Sequence, residues 1–285
     1  MTPALQRSRR ATIGLLLAPA LGCHKNTPDT PTPAAATGCR VNRVSFSSGE
    51  YELYSYNAAG FLTSVALYYK NQAGQVPTSV TASKLSYNAQ GLLDRVSWGS
   101  GADYEQYSWT NGALTQIEAF VGGQLVYRVG VTTDANQRIT ALKSTNVTHD
   151  PAYGFDYTTS FSLDAQGHYT NLVATGPDGV FFTGEYSAFD ATTQSPYGVF
   201  KGVPVFVGTF LTEVGTTPPI HAYVNTKVVY QYGYDNKGNY TGLQPVSDLT
   251  LSYQANAAHF PLSAQIKNAV SNITSTTTYQ YSNCD

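Results

Sequence analysis

Five carboxylates could supply an acid–base pair: Glu105, Glu118, Asp156, Glu185 and Glu213. Two such groups facing one another across a cleft hydrolyse glycosides, one giving a proton while the other acts as base or nucleophile. These five fall in different hairpins of the pattern described below, and the expectation for each is a solvated surface position. The histidines, His24, His149, His168, His221 and His259, are scattered. None stands at a metal-binding interval from another His or a Cys. His149 lies beside Asp150 and His168 beside a turn Gly, both places for polar loop residues. There is no Gly-x-Ser-x-Gly run for a nucleophilic serine. Gly99-Ser100-Gly101 lacks the Lys and the helix of a phosphate-cradling loop. Asp235-Asn236-Lys237-Gly238 begins like a Ca²⁺ loop but lacks the later ligands. The expectation is therefore no catalytic residue, no cofactor, no metal and a non-enzymatic role, with a surface hydrolase as the outlying alternative.

The N-terminus reads as an address. Met1 to Arg10 carries Arg7, Arg9 and Arg10, and an apolar run from Ala11 to Leu21 follows. That is the anatomy of a secretory signal. The run is too short for a membrane-spanning helix, which takes about 20 residues. Ala20-Leu21-Gly22-Cys23 resembles the lipobox of bacterial lipoproteins, with Leu one place nearer the Cys than is usual there. The resemblance implies a signal peptide over 1–22 and lipidation of Cys23; a plain secretory signal or an uncleaved anchor is the alternative. Residues 23–38, with Pro28, Pro31 and Pro33 among Thr and Ala, form an extended tether. Cys39 and Cys284 remain, at the two ends of the region that follows. Export favours a disulfide between them, which needs Cα atoms within about 7 Å and so puts the first strand beside the last. Two free thiols are the alternative.

The elements that must position everything else come from one phrase, written again and again. An aromatic is followed by Asn or Asp, small residues, Gly, and then apolar residues two and five places on. It reads Tyr56-Asn57-Ala58-Ala59-Gly60…Leu62…Val65 and Tyr87-Asn88-Ala89-Gln90-Gly91…Leu93…Val96. Further copies centre on Asn111-Gly112, Asp134 to Gln137, Asp164 to Gly167 and Asp235 to Gly238, with degenerate ones at Asp190 and Asn256. Asn or Asp opens a turn by bonding nearby backbone. Gly60, Gly91, Gly112, Gly167 and Gly238 supply the positive φ at the turn's end. Positions two and five after the Gly have opposite parity, so they share a face only if a bulge follows the turn.

Flanking strands alternate, as where Leu85 and Tyr87 alternate with Lys84 and Ser86, or Thr277, Tyr279 and Tyr281 with Thr278, Gln280 and Ser282. Such a sheet is aromatic on one face and wet on the other. The tyrosine ladders read as cross-strand packing or as platforms for stacking sugars. Eight turns imply about sixteen strands, more than an open twisted sheet usually carries. The fold class is all-β: a large antiparallel up-and-down meander, closed into a barrel or strongly curled, over residues 39–285. A barrel of that size needs a plug or encloses a cavity. Residues 195–223, rich in Pro, Gly and apolar side chains, break the pattern as a plug or as a loop packed over the sheet end.

The repeated phrase resembles the YD repeats of bacterial Rhs-type proteins, most closely at Asp134 to Leu142 and Tyr234 to Leu243. The whole arrangement, closing on Tyr279-Gln280-Tyr281-Ser282-Asn283-Cys284, is similar to Bacteroidetes lipoproteins of unknown function. That resemblance implies a porin-like β-meander and no activity. Charged residues make up 12% of the chain and the net charge is -2, so there is no electrostatic footprint for nucleic acid. The expected partners are a membrane, through the lipid anchor at the cell envelope, and a glycan, lipid or protein ligand. Wet strands with mid-strand tyrosines speak against a barrel embedded in the membrane itself.

Overall fold

The computed structural model describes residues 39–71, 73–150, 154–198, 200–203, 223–234 and 240–284; side chains of 223–234 and 240 are left aside. The leader, Cys23, the tether, Gly238 and most of the 195–223 segment lie outside these residues. Sixteen strands follow one another: β1 (Arg40–Phe46), β2 (Tyr51–Tyr56), β3 (Leu62–Tyr68), β4 (Ser83–Tyr87), β5 (Leu93–Trp98), β6 (Asp103–Thr110), β7 (Ala113–Val121) and β8 (Gln124–Thr133). The second half is β9 (Ile139–Asn146), β10 (Tyr157–Leu163), β11 (Tyr169–Gly176), β12 (Gly179–Asp190), β13 (Tyr223–Tyr234), β14 (Tyr240–Ala255), β15 (Pro261–Asn268) and β16 (Ile273–Ser282). Each pairs antiparallel with its chain neighbour, and β16 returns to β1 to close the barrel. The thinnest seam is β3–β4, with two residue pairs, Ser64↔Lys84 and Val65↔Ser83.

The up-and-down order puts every even-to-odd connection at one end, together with both termini of the barrel. Five of these connections are the same turn. In each, the N–H of the first residue (Asn57, Asn88, Asp134, Asp164, Asn256) donates to the fifth residue's carbonyl, and the fourth residue's N–H donates back. The side-chain oxygen of the first accepts the N–H of the fifth. The fourth position has positive φ, whether it is Gly60, Gly91 or Gly167, or Gln137 (62°) and His259 (64°). The sixth, Asn111-Gly112, is a two-residue turn with both residues at positive φ, the type I′ geometry.

A register shift follows each turn, for example between Ser55 and Tyr56 or Ser86 and Tyr87. One residue on the outgoing strand, such as Thr63 or Asp94, is thereby left over. The bulge turns two residues of opposite parity to one face. Leu62 and Val65, Leu93 and Val96, Leu114 and Ile117, Ile139 and Leu142, and Tyr169 and Leu172 are accordingly all buried. Where the left-over residue is Thr63, Thr115, Thr140 or Thr170, its hydroxyl bonds a carbonyl of the facing strand. The aromatic that opens each phrase ties one hairpin to the next. Tyr87 donates to the carbonyl of Leu62 and Trp109 to that of Leu93, each at 2.7 Å, and Tyr281 donates to that of Pro261 at 2.8 Å. Each acceptor directly precedes the left-over residue.

The seam between the chain ends copies this design. β1 and β16 shift register between Val41 and Arg43, and Tyr56 donates to the Val41 carbonyl at 2.7 Å. A Cys39–Cys284 disulfide, Cα atoms 4.2 Å apart, stands where a turn would be.

The barrel is apolar inside and polar outside. On β16, Thr277 and Tyr279 are buried while Thr274, Thr276, Thr278 and Gln280 are exposed; on β10, Thr159 and Phe161 alternate with exposed Thr158, Ser160 and Ser162. No helix among the described residues is long and apolar enough to cross a membrane, which says nothing of strands.

Candidate functional site

The polar chemistry of the described residues gathers in two places: a layer inside the barrel and the end that carries the repeated turns. Inside, Glu52 is fully buried and Glu105 is 3% exposed. Each lies two residues before a tyrosine on an even strand, so carboxylate and phenol share the inner face. The Glu52 carboxylate accepts hydrogen bonds from the Tyr54 and Tyr69 hydroxyls. Glu105 accepts one from Tyr107 at 2.5 Å. Burial first, and then the adjacent carboxylate, push the Tyr54 and Tyr107 hydroxyls well above the ordinary phenol range. They therefore act as protonated donors, not as nucleophiles. The same layer holds buried Ser83, Thr159 and Thr277.

Glu105 corrects the sequence expectation of a solvated carboxylate. Its register opposite Val96 and Ala119 puts it on the inner face, where Tyr107 offsets the cost of its burial. Glu52 was not singled out from sequence at all. The signal for both is parity: each alternates in step with a core tyrosine. Their strands, β2 and β6, are four apart in the barrel order, roughly 19 Å along the backbone wall at strand spacing.

The other candidates are dispersed. Glu118 pairs with Arg128 at 2.8 Å, Asp156 accepts the N–H of Asn146, and Glu185 is exposed on β12. His168 stacks on Phe189 with centroids 4.5 Å apart and meets Asp164 at 2.8 Å. His149 has positive φ in a loop, and His259 fills a turn position. Glu213, His24, His221 and the Asp235–Gly238 run lie outside the described residues, among which no group of His, Cys, Asp and Glu is arranged to hold a metal.

Tyrosines divide between the faces. Tyr54, Tyr107, Tyr127, Tyr169, Tyr186 and Tyr279 belong to the core. On the outer wall, Tyr51 stacks on Tyr68 at 4.3 Å and Tyr104 on Phe120 at 4.4 Å. Arg43 lies over Tyr51 and Arg95 over Tyr104. The packing reading holds for these rings, because their faces are taken by one another and by guanidinium groups, whereas a stacking sugar needs an open face.

The seventh connection at the turn end, between β12 and β13, departs from the phrase. The degenerate copy at Asp190 makes no tight turn; its carboxylate instead gathers Thr192 and Thr193. The chain then crosses the barrel end. Gln194 donates to His259, the Gly202 carbonyl accepts from Leu93 at 2.6 Å, and the Lys201 ammonium donates to Ala59 at 2.9 Å. Tyr197, Phe200 and Val203 are buried against the core, with Tyr197 and Phe200 both meeting the Tyr54 ring. The described residues 195–198 and 200–203 thus pack over the sheet end, with Tyr197, Phe200 and Val203 set into it.

No family model matches the chain, and no curated protein matches its sequence. Among solved structures the barrel is similar to a porin-like protein from Bacteroides uniformis, with a TM-score of 0.50 over 85% of this chain and 96% of that one, at 10% identity. The fold is porin-like. A porin-like protein from Bacteroides vulgatus aligns at a TM-score of 0.48 and 12% identity, covering 85% of this chain and 99% of its own. The TcdB2-TccC3 structure aligns at 0.29 and 8% identity, covering 78% of this chain and 13% of its own. Identity this low carries the fold and nothing about activity. The polarity of this wall differs from that of membrane-spanning barrels, which carry an apolar outer band about 25 Å tall.

Proposed function

We propose that this chain is an exported, lipid-tethered barrel that stands in water at the cell envelope and acts there by binding or scaffolding rather than by catalysis. One observation carries the reading: the outer wall is rich in Ser, Thr, Gln and Lys, with aromatic pairs such as Tyr51–Tyr68 and Tyr104–Phe120 among them, while the buried inner face is mostly apolar and tyrosine side chains. A barrel of that polarity does not anchor itself in lipid, so an acylated Cys23 has a job to do. The leader and the Pro-rich tether support export and display. The turn geometry supports kinship with YD repeats, because each conserved element of the phrase has a use in it. A non-catalytic role is supported by Glu52, Glu105, Glu118 and Asp156, which are occupied by phenol, guanidinium or backbone partners.

The test is fractionation of the full chain expressed in a Gram-negative host. Wild-type protein is expected in the membrane fraction, carrying incorporated palmitate and released only by detergent. Cys23→Ser is expected in the soluble periplasmic fraction. If Cys23→Ser still requires detergent, the wall itself is embedded in lipid and the reading fails.

A further inference from the structure

Two cations meet at the plugged end, with no carboxylate of the described residues paired to either. Arg40 opens β1, directly after Cys39, and Lys201 comes from the plug. Their side chains converge on the β2–β3 turn. A Cβ added to Gly60 would stand 2.7 Å from Arg40 Nη2 and 3.3 Å from Lys201 Nζ, so guanidinium and ammonium are close neighbours. Aromatic rings hold both in place: Arg40 lies over Tyr56 at 5.6 Å and Lys201 near the Phe61 ring at 5.9 Å. Among the described residues Arg128 and Arg138 are each paired with a carboxylate, while Arg43, Arg95, Lys84 and Lys143 are in no ion pair but sit on four different strands of the wall; Arg40 and Lys201 are the two shown to meet. Arg40 and Lys201 are in no ion pair of the described residues. The protein contact of the ammonium is one backbone carbonyl, Ala59. Like charges held together repel unless an anion joins them.

We infer that Arg40 and Lys201 form a binding site for a phosphate-bearing lipid headgroup, and that the plugged end rests on the membrane to which the tether is attached. The commitment to lipid comes from placement. The site lies one residue beyond Cys39, where the tether enters the barrel. An extended tether over residues 24–38 reaches on the order of 50 Å, enough to let the barrel stand off or tumble unless a contact fixes it. Tethering holds the site at high effective concentration beside headgroups, so a weak site of two cations suffices.

The orientation rests on the tether reading, and the test is built to separate the two. It uses the chain from residue 23 onward carrying Cys23→Ser, oxidised, so that neither acylation nor the basic apolar leader plays a part. Co-sedimentation with phosphatidylglycerol vesicles is compared with phosphatidylcholine vesicles at equal ionic strength, and thermal melts are run with inorganic phosphate against chloride. Binding to the anionic vesicles is expected to weaken about 5-fold for each cation removed, in Arg40→Gln and Lys201→Gln. A Lys84→Gln, Lys143→Gln control on the exposed wall should leave it within 2-fold. If the Arg40 and Lys201 variants bind as wild type does, or fall no further than the wall control, the site is overturned. A melt raised by inorganic phosphate, with no preference for anionic vesicles, overturns the lipid source in favour of a soluble phosphate compound. Failure of palmitate labelling would remove the tether reading while leaving these binding results unaffected.

Discussion

The two ends of the barrel use one kind of turn with different regularity. At one end the same five-residue turn recurs, each followed by a bulge, and aromatic hydroxyl or indole groups lace one hairpin to the next. At the other, the same backbone turn appears without that regularity: Phe46–Glu50 and Asn71–Gln75 carry its two hydrogen bonds, with Gly49 and Gly74 at positive φ and the Asn71 side chain accepting the N–H of Gln75, while Gly122-Gly123 makes a tighter hairpin and the connections over 69–82 and 147–156 are long. That second end also carries the exposed Val121, Phe155, Val270 and Ile273. The repeated end is where the ring must be closed, at the disulfide, and where it is plugged. The comparison teaches that one turn can be used two ways: at five connections along one rim, and singly, at Phe46–Glu50 and Asn71–Gln75, along the other. Its fidelity along the first rim is what allows a single irregular connection to lie across the other turns.

The largest effect should come from the closure itself. Replacing Cys39 and Cys284 with Ser removes the covalent stand-in for a turn and frees a very long loop in the unfolded chain. A loss of about 3–5 kcal/mol in urea denaturation is expected, with β1 and β16 losing amide protection first. A loss confined to the opposite rim would break the comparison. Next is the plug. Gly202 has a φ of 65°, and a Cβ there would collide with the Gly91 carbonyl. Gly202→Ala should cost about 2–3 kcal/mol and speed protease cleavage within 191–222. Gly49, at the opposite rim, also has positive φ but nothing within 4 Å, so Gly49→Ala should cost only about 1–2 kcal/mol of backbone strain. Equal costs would mean that the plug does not press on the turns.

Inside the barrel, Tyr54→Phe takes one donor from the buried Glu52 and should cost about 1.5–3 kcal/mol, read by the same denaturation. The smallest effect sharpens the repeat. Burial acts to raise the Asp134 and Asp164 carboxyls. Hydrogen bonds from Arg138 and Asn136 in one case, and from His168 and Gln166 in the other, outweigh it and hold both below the ordinary range. A carboxylate whose folded pKa is depressed contributes stability that is complete above its unfolded value, near 3.9, and lost as pH falls towards the folded one. Between pH 4 and 2 the wild type should therefore lose more melting temperature than Asp134→Asn, Asp164→Asn, which keeps the turn oxygen without the charge, as Asn57 and Asn88 do naturally. Parallel losses would show that the turns hold by geometry alone.

Much of the architecture was legible because each signal is local. The Asn or Asp, the Gly and the apolar pair two and five places on are read within ten residues, and they demand a turn and a bulge together. Gln137 and His259 were legible as turns only through their neighbours, since neither residue favours positive φ. Less legible was the use of the opening aromatic, because its acceptor lies in the preceding hairpin. Asp190 looked like one more degenerate copy, yet it starts the plug, because Thr192 and Thr193 capture its carboxylate before a turn can close. Glu52 and Glu105 were hidden for a related reason. Their parity with Tyr54 and Tyr107 is visible, but a carboxylate on a core face is improbable until the phenol that bonds it is seen.

Composition, alternation and the recurring phrase determined by themselves that this chain makes antiparallel hairpins with one wet face, since backbone conformation and side-chain parity are set by neighbours a few residues away. Only the tertiary structure decided which way that wet face turns, that residues 195–198 and 200–203 pack over the end, and that Arg40 meets Lys201 over Gly60. Those are contacts between residues far apart in the chain, and they exist only once the ring has closed.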